Sequence, residues 1–326
     1  MTIIGQDRAV AAFRAALDSG QLHHGWLLAG PRGVGKGRFA RAAASRLLAD
    51  AAGPRVDLPG LDTPPDHRIA RLMEAGSHPD FKLLERELND KGVLRRNVTV
   101  QQVRKLRPLF DMAPALSPWR AVIIDSIDEL EPGAANALLK MLEEPPGRSL
   151  FLLVSHAPGR LLPTIRSRCR QLDFGPLADD ALDRILAAEA PKLDAAARQR
   201  LLAFAGGSAS RALAFAELDL APLAEEALAL LRRGDLDNSR RSRLASSLAL
   251  KAAGARYAAF LELVPPLVAA EARSARGARQ LRLLDAYAQV RETASLAPRL
   301  SLDPAATVFS LGTIMASAAD GLAVSR

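Results

Sequence analysis

The run Gly30-Pro31-Arg32-Gly33-Val34-Gly35-Lys36 places three glycines and a lysine between a short apolar stretch and a segment of helical periodicity. Such a pattern can cradle phosphate. Glycine backbone lets N–H groups converge on phosphate oxygens, a following helix adds partial positive charge at its N-terminus, and Lys36 supplies a full charge. The next residue is Gly37, where loops that hold Mg²⁺ carry the hydroxyl of Ser or Thr. The same glycines also suit tight strand–helix packing around a loop that holds no nucleotide, and the two readings stand side by side. A second candidate element is Val122-Ile123-Ile124-Asp125, an apolar run ending in an acid that could hold Mg²⁺ through water. After it comes Ser126, where hydrolysis needs a carboxylate to orient the attacking water; a hydroxyl is a poor base near neutral pH. Asp128 and Glu129 lie beyond the strand end and read as acids in a solvated first turn of helix. With one loss in each element, an inactive site is the favoured expectation.

Few other reactive side chains are available. The single cysteine, Cys169, excludes an intramolecular disulfide framework and any four-cysteine zinc site. Hydrophobic residues make up 49% and charged residues 25% of the chain, which suits packed cores and excludes a highly charged disordered protein. Aromatics at 4%, with abundant Ala and Leu, favour helices over a β-sandwich or barrel. A net charge of +8 permits contact with nucleic acid, yet no single face collects the Arg-rich charge into a dedicated patch. The opening residues MTIIGQDRAVAAF show no basic segment followed by an apolar one, so no secretory signal is expected. No uncharged apolar stretch of about 18 residues could cross a bilayer. The expectation is a soluble, cytoplasmic protein with no membrane partner.

The elements that must carry these residues follow from periodicity. Helical spacing covers Gln6 to Leu17, Arg38 to Leu48, Val100 to Leu109 and Gly133 to Glu144, the last stopped by Pro145-Pro146. Buried-strand runs occupy residues 25–29, 121–125 and 150–155, and residues 50–66 are a Pro/Gly/Asp-rich loop. Strands alternating with helices predict a parallel α/β sheet. After Phe174-Gly175-Pro176 the chain turns Ala/Leu/Arg-rich and helical. The expected domains are an α/β nucleotide-fold domain over 1–174, a small helical lid over 175–220 and an all-helical part over 221–326. In that last part Leu261, Leu263 and Val264 must bury somewhere, with an association surface as one place and an internal core as the other.

Several motifs carry a resemblance. The run Asn136-Ala137-Leu138-Leu139-Lys140-Met141-Leu142-Glu143-Glu144-Pro145-Pro146, with Ser167-Arg168-Cys169 and Ile4-Gly5-Gln6, resembles the signatures of bacterial clamp-loader AAA+ subunits. His78-Pro79-Asp80-Phe81 and Val100-Gln101-Gln102-Val103-Arg104 resemble the delta-prime type of the DNA polymerase III holoenzyme rather than the gamma/tau ATPase. The resemblance spans about residues 3–211. It implies an AAA+ fold with a helical lid, a helical collar over 221–326 that carries the main association surface, and a degenerate nucleotide site formed by Gly30, Gly33, Gly35, Lys36, Gly37 and Asp125. Ser155 matches a polar sensor position at a strand end, and Arg211 a sensor position near the start of a lid helix. Arg168 would serve a neighbouring subunit's ATP as an arginine finger, and pairing with a local carboxylate is its alternative. The implied partners are gamma/tau and delta subunits, with sliding clamp and primed DNA reached through the complex in DNA replication. The rival reading is a gamma-like subunit that hydrolyses ATP itself.

Cofactor expectations follow from the same match. None is required, and weak ATP or ADP binding is left open. Many members carry a four-cysteine zinc module after the first helix, but residues 50–80 here contain no cysteine. His67 and His78 alone cannot close a tetrahedral site; both are expected at the surface, His78 as a loop anchor. Cys169 is expected to act as a small apolar side chain, since no His stands beside it. Metal analysis of the purified protein should therefore find no stoichiometric zinc, and a tightly held equivalent resistant to chelator would contradict this.

Overall fold

A computed structural model describes residues 2–319 other than Lys91 and Val93. The chain divides into two compact units, Met1–Ala178 and Asp179–Arg326.

The first unit is built on five parallel strands: β1 (Gly25–Ala29), β2 (Phe81–Glu85), β3 (Arg120–Asp125), β4 (Ser149–Ser155) and β5 (Arg170–Asp173), in the order β2-β3-β4-β1-β5. The strands at the centre are buried on both faces, so their residues read as unbroken apolar runs. Alternation sorts them into two cores. Trp26, Leu28, Ile123 and Leu152 face one side with Phe13 and Phe39. Leu27, Val122, Ile124 and Leu153 face the other with Leu138 and Leu142. The helices covering these faces are α1 (Asp7–Asp18), α2 (Lys36–Ala52), α3 (Arg68–Glu74), α4 (Val100–Arg104), α5 (Arg107–Asp111), α6 (Pro132–Glu143) and α7 (Pro163–Arg166). This is the parallel α/β sheet with flanking helices that the alternation of strands and helices predicts.

Three differences from the periodicity have physical causes. The helix expected over residues 100–109 is two helices, α4 and α5, because Pro108 lacks an N–H and its ring would meet the carbonyl four residues back, at Arg104. Strands β2 and β5 carry no long apolar run. They are the sheet's edges, and only Leu172 of β5 is buried. His78 is buried, not at the surface; its Nδ1 accepts the Asp80 N–H at 3.1 Å and so anchors the loop as expected. The buried Asp80 carboxylate in turn accepts the N–H groups of Ala115, Leu116 and Ser117. His67 caps α3, accepting the Ile69 N–H.

The second unit is all helical among its described residues. Helices α8 (Asp179–Glu189), α9 (Ala195–Ala205) and α10 (Ala209–Glu217) pack on one another. The longer set comprises α11 (Ala221–Arg233), α12 (Ser239–Ala249), α13 (Gly254–Ser274), α14 (Gly277–Leu300) and α15 (Pro304–Ser317). Helix α13 continues through Pro265 and Pro266. Leu261, Leu263 and Val264 are buried inside this unit alongside Phe260 and Leu267, so they belong to its core and are not available as an association surface.

In the first unit, the loop after α2 is held by one side chain. Arg46 is fully buried, and its guanidinium donates to Asp50 Oδ2, Leu58 O and Asp62 O, each at 2.9 Å, and to Val56 O. Asp50 Oδ1 closes the ring by accepting the Val56 N–H at 2.8 Å. Arg46→Met should destabilise the protein by about 2–4 kcal/mol, because it leaves three loop carbonyls without their donor and takes the closest cation from the half-buried Asp50 carboxylate. Urea unfolding of the full chain reads this; a loss near zero would show that water satisfies the loop instead.

Candidate functional site

Parallel register brings the ends of β3, β4 and β1 together, with Asp125 beside Val154 and Ser155 beside Ala29. Ligands of open parallel sheets bind beyond such strand ends. The loop leaving β1 begins at Gly30, whose N–H donates to Ser155 O at 3.3 Å. A side chain at Gly30 is impossible, since its Cβ would stand 2.1 Å from Phe174 O. The requirement comes from the next strand: Phe174 N–H bonds Ala29 O at 2.7 Å. Gly33 and Gly35 take positive φ values of 76° and 100° as the loop turns into α2. Packing thus accounts for Gly30, and backbone turning for Gly33 and Gly35. Gln6, from the N-terminal motif, fastens the loop by donating to Val34 O at 3.1 Å and Gly175 O at 3.0 Å.

Lys36 is buried at the start of α2, and its ammonium donates to Gly30 O at 2.6 Å and to Pro31 O. Burial lowers its pKa to about 8, opposed by Asp125 and Asp128. Gly37 faces Asp125: a Cβ at residue 37 would lie 2.8 Å from Asp125 Oδ2. Glycine thus lets the Asp125 carboxylate lie against the first turn of α2, and it supplies no hydroxyl with which that carboxylate could share a metal. Burial also raises the Asp125 pKa, with Arg41 and Lys36 pulling the other way.

Ser126 and Asp128 correct the reading of the second element. Asp128 is no solvated helix acid. It sits on a single 3-10 turn (Ile127–Glu129) and gathers four donors: Ser126 Oγ at 3.0 Å, Ser155 Oγ at 2.8 Å, His156 N–H at 2.5 Å and Ala157 N–H at 3.2 Å. Burial alone would raise its pKa, but these hydrogen bonds outweigh it and hold the carboxyl below the usual range. Glu129 is likewise engaged, accepting Arg32 of the loop at 2.7 Å and Arg86 at 2.9 Å. Ser155 is fully buried and spends its hydroxyl on Asp128, and so does Ser126. His156 escaped the sequence reading, although it directly follows Ser155. Its Nδ1 is buried without a hydrogen-bond partner among the described residues, and burial, with Lys36 and Arg32 nearby, depresses its pKa to about 4. A neutral imidazole thus stands just past the end of β4, within the field of two cations.

The two arginines singled out by motif lie apart from this cluster in sequence and have local partners. Arg168 follows α7; its NH2 pairs with Glu143 Oε1 at 2.8 Å and its NH1 donates to Thr164 O at 2.9 Å. Cys169 is partly buried against the core containing Leu142, and burial pushes its thiol up to about 12, which removes it as a nucleophile. Arg211, on α10, donates to Ala205 O at 2.9 Å, closing the end of α9. Burial lowers its pKa, and its Nε has no hydrogen-bond partner among the described residues. Among the described residues no group of three or more His, Cys, Asp or Glu could hold a metal ion, and no helix is long and apolar enough to cross a membrane.

A family model described as DNA polymerase III, delta subunit matches residues 5–178, the whole of the α/β unit but its first residues. The chain belongs to this family. Among curated relatives, the DNA polymerase III subunit delta' of Pseudomonas aeruginosa is 39% identical over 189 residues, covering 57% of this chain and 53% of that protein. The DNA polymerase III subunit gamma/tau of Mycobacterium bovis is 32% identical over 185 residues, covering 57% of this chain and 30% of that protein. The matches thus span about half the length of the first relative and less of the second. A gamma subunit-related protein from Thermotoga maritima aligns over 95% of this chain and 99% of its own, at 15% identity and a TM-score of 0.47.

Asp128→Asn tests whether the strand ends depend on this carboxylate. The folded pKa lies below the unfolded 3.8, so the stabilisation is complete above that value and fades as pH falls through the folded one. The variant should lose about 1–3 kcal/mol near neutral pH, with the gap to the parent closing in strong acid. Denaturant titrations at pH 7 and below pH 4 measure it; a pH-independent gap would assign the loss to packing.

Proposed function

We propose that this chain is the non-hydrolysing, delta-prime-type subunit of a DNA polymerase III clamp loader, and that it lends Arg168 to the ATP of a neighbouring subunit. One observation carries the reading. Residue 37, which follows Lys36 and lies against Asp125 Oδ2, is a glycine, so no hydroxyl stands beside that carboxylate to ligate a metal. The rest of the site agrees with it. Ser126, in the place of the base, is bound to Asp128, and the Lys36 ammonium is held by the loop's own carbonyls. Without a metal-binding hydroxyl or a base to orient water, hydrolysis loses two of its required parts. Weak ATP or ADP binding is compatible with the loop, and no zinc is required. The partners in this reading are gamma/tau and delta subunits, and through them the sliding clamp and primed DNA.

A gamma-like subunit that hydrolyses ATP itself is the second reading, favoured by the gamma/tau relative that matches a similar length of the chain. The purified chain decides between them. It should show no turnover above background at saturating ATP and Mg²⁺; turnover abolished by Lys36→Ala would establish the gamma-like reading. In the assembled complex, Arg168→Ala should slow hydrolysis at the neighbouring site by roughly 10³-fold, the lower end of what arginine fingers contribute. Arg168→Lys should recover only part of the loss, since a point charge matches the developing phosphoryl charge less well than a guanidinium fork. Normal turnover in a correctly assembled Arg168→Ala complex would end the assignment.

A further inference from the structure

The Ser167-Arg168-Cys169 motif does more than present a guanidinium; each residue fixes the position of the middle one. Thr164 O accepts both Ser167 Oγ, at 3.1 Å, and Arg168 NH1, at 2.9 Å, so one carbonyl of α7 holds the turn and the side chain together. The backbone is clamped from below. A Cβ on Gly25, the first residue of β1, would stand 3.2 Å from both Arg168 O and Cys169 Sγ and 3.5 Å from Leu142 Cδ2. A side chain at residue 25 would press on the turn and shift it by a few tenths of an ångström. The end of α6 is secured to the same place, since the ring of His24, just before β1, is bonded through Nε2 to Leu142 O at 3.1 Å.

The residue after Leu142 is Glu143, the last of α6, and its Oε1 accepts Arg168 NH2 at 2.8 Å. The guanidinium is therefore held at both terminal nitrogens, by a carbonyl from α7 on one and a carboxylate from α6 on the other. Two anchors on separate elements fix a long side chain in a way that one cannot. The pair lies at the surface: Arg168 keeps 34% and Glu143 46% of their side-chain exposure. Exposed pairs of this kind add little to folding stability. Its chief effect must then be on where the guanidinium stands.

Resting on the proposed role of Arg168, we infer that Glu143 is a positioning residue: it holds the Arg168 guanidinium, ordered in advance, at the surface where another subunit's phosphates would meet it. Glu143 touches no substrate and acts only through Arg168. Aligning a reacting group before the encounter lowers the barrier by removing the need to order it later. The carboxylate also partly neutralises the guanidinium, so the gain lies in orientation and not in charge.

The test uses the complete complex with Glu143→Gln, Arg168→Ala and the double variant, together with the melting temperature of each chain. Glu143→Gln should reduce kcat for ATP by about fivefold, a modest share of what misplacement can cost, with KM unchanged and the melting temperature within error of the parent. Glu143→Asp, which keeps the charge on a shorter arm, should recover part of the rate. In the Arg168→Ala background, Glu143→Gln should have no further effect. Normal or faster turnover in Glu143→Gln, while Arg168→Ala remains slow, would overturn the positioning role and leave the arginine finger standing. A lowered melting temperature with kcat unchanged per assembled complex would make the pair structural and overturn it equally. If Arg168→Ala itself turns over normally, the proposed function fails, an outcome that this single variant reads independently of Glu143.

Discussion

The Asp128 carboxylate holds the ends of β3 and β4 in one arrangement. With Ser126, Ser155 and the N–H groups of His156 and Ala157 all donating to it, neither strand end can move without breaking charge-assisted bonds. Everything the site presents is referred to that point. Asp125 is three residues before it, Gly30 is bonded to Ser155, and the adjoining Glu129 grips Arg32 of the loop. A carboxylate used in this way is not free to polarise water. The donors that could have served a bound ligand, two serine hydroxyls among them, are spent on the protein's own framework.

Electrostatics at the strand ends are balanced without an outside ion. Lys36 is attracted to Asp125 and Asp128, Arg32 is countered by Glu129, and burial keeps His156 neutral. Phosphate entering here would have to take the Lys36 ammonium from two carbonyls of the same loop. The same loop, with the glycines and lysine of a nucleotide site, joins β1 to α2.

Much of the fold was legible in the sequence, for a local reason. Strands β1, β3 and β4 are buried on both faces, so they appear as apolar runs. Lys82 and Glu85 of β2 face outward, as does most of β5, and edge strands leave a weaker signal. The glycine loop and the missing hydroxyl at residue 37 were also visible. Hidden from the sequence was the contact that gives Gly37 its meaning, because Asp125 reaches it across the fold. Asp128 was misread for the same reason: its partners Ser155, His156 and Ala157 are 27 to 29 residues away. Nearby acids in a helical context suggested solvent, whereas the tertiary structure supplied donors.

The buried guanidinium of Arg46 has a consequence for the order in which the chain takes shape. All its acceptors lie within 16 residues of it, so the loop it gathers costs little chain entropy to close. Yet its hydrogen bonds are strong only once water is excluded, and that exclusion depends on Val56 and Leu61 settling into the core beside α2. Such a fastening has no independent affinity with which to capture the loop early. Its closure is thereby coupled to formation of the core, so the segment should gain its solvent-exchange protection together with α2 and not before it.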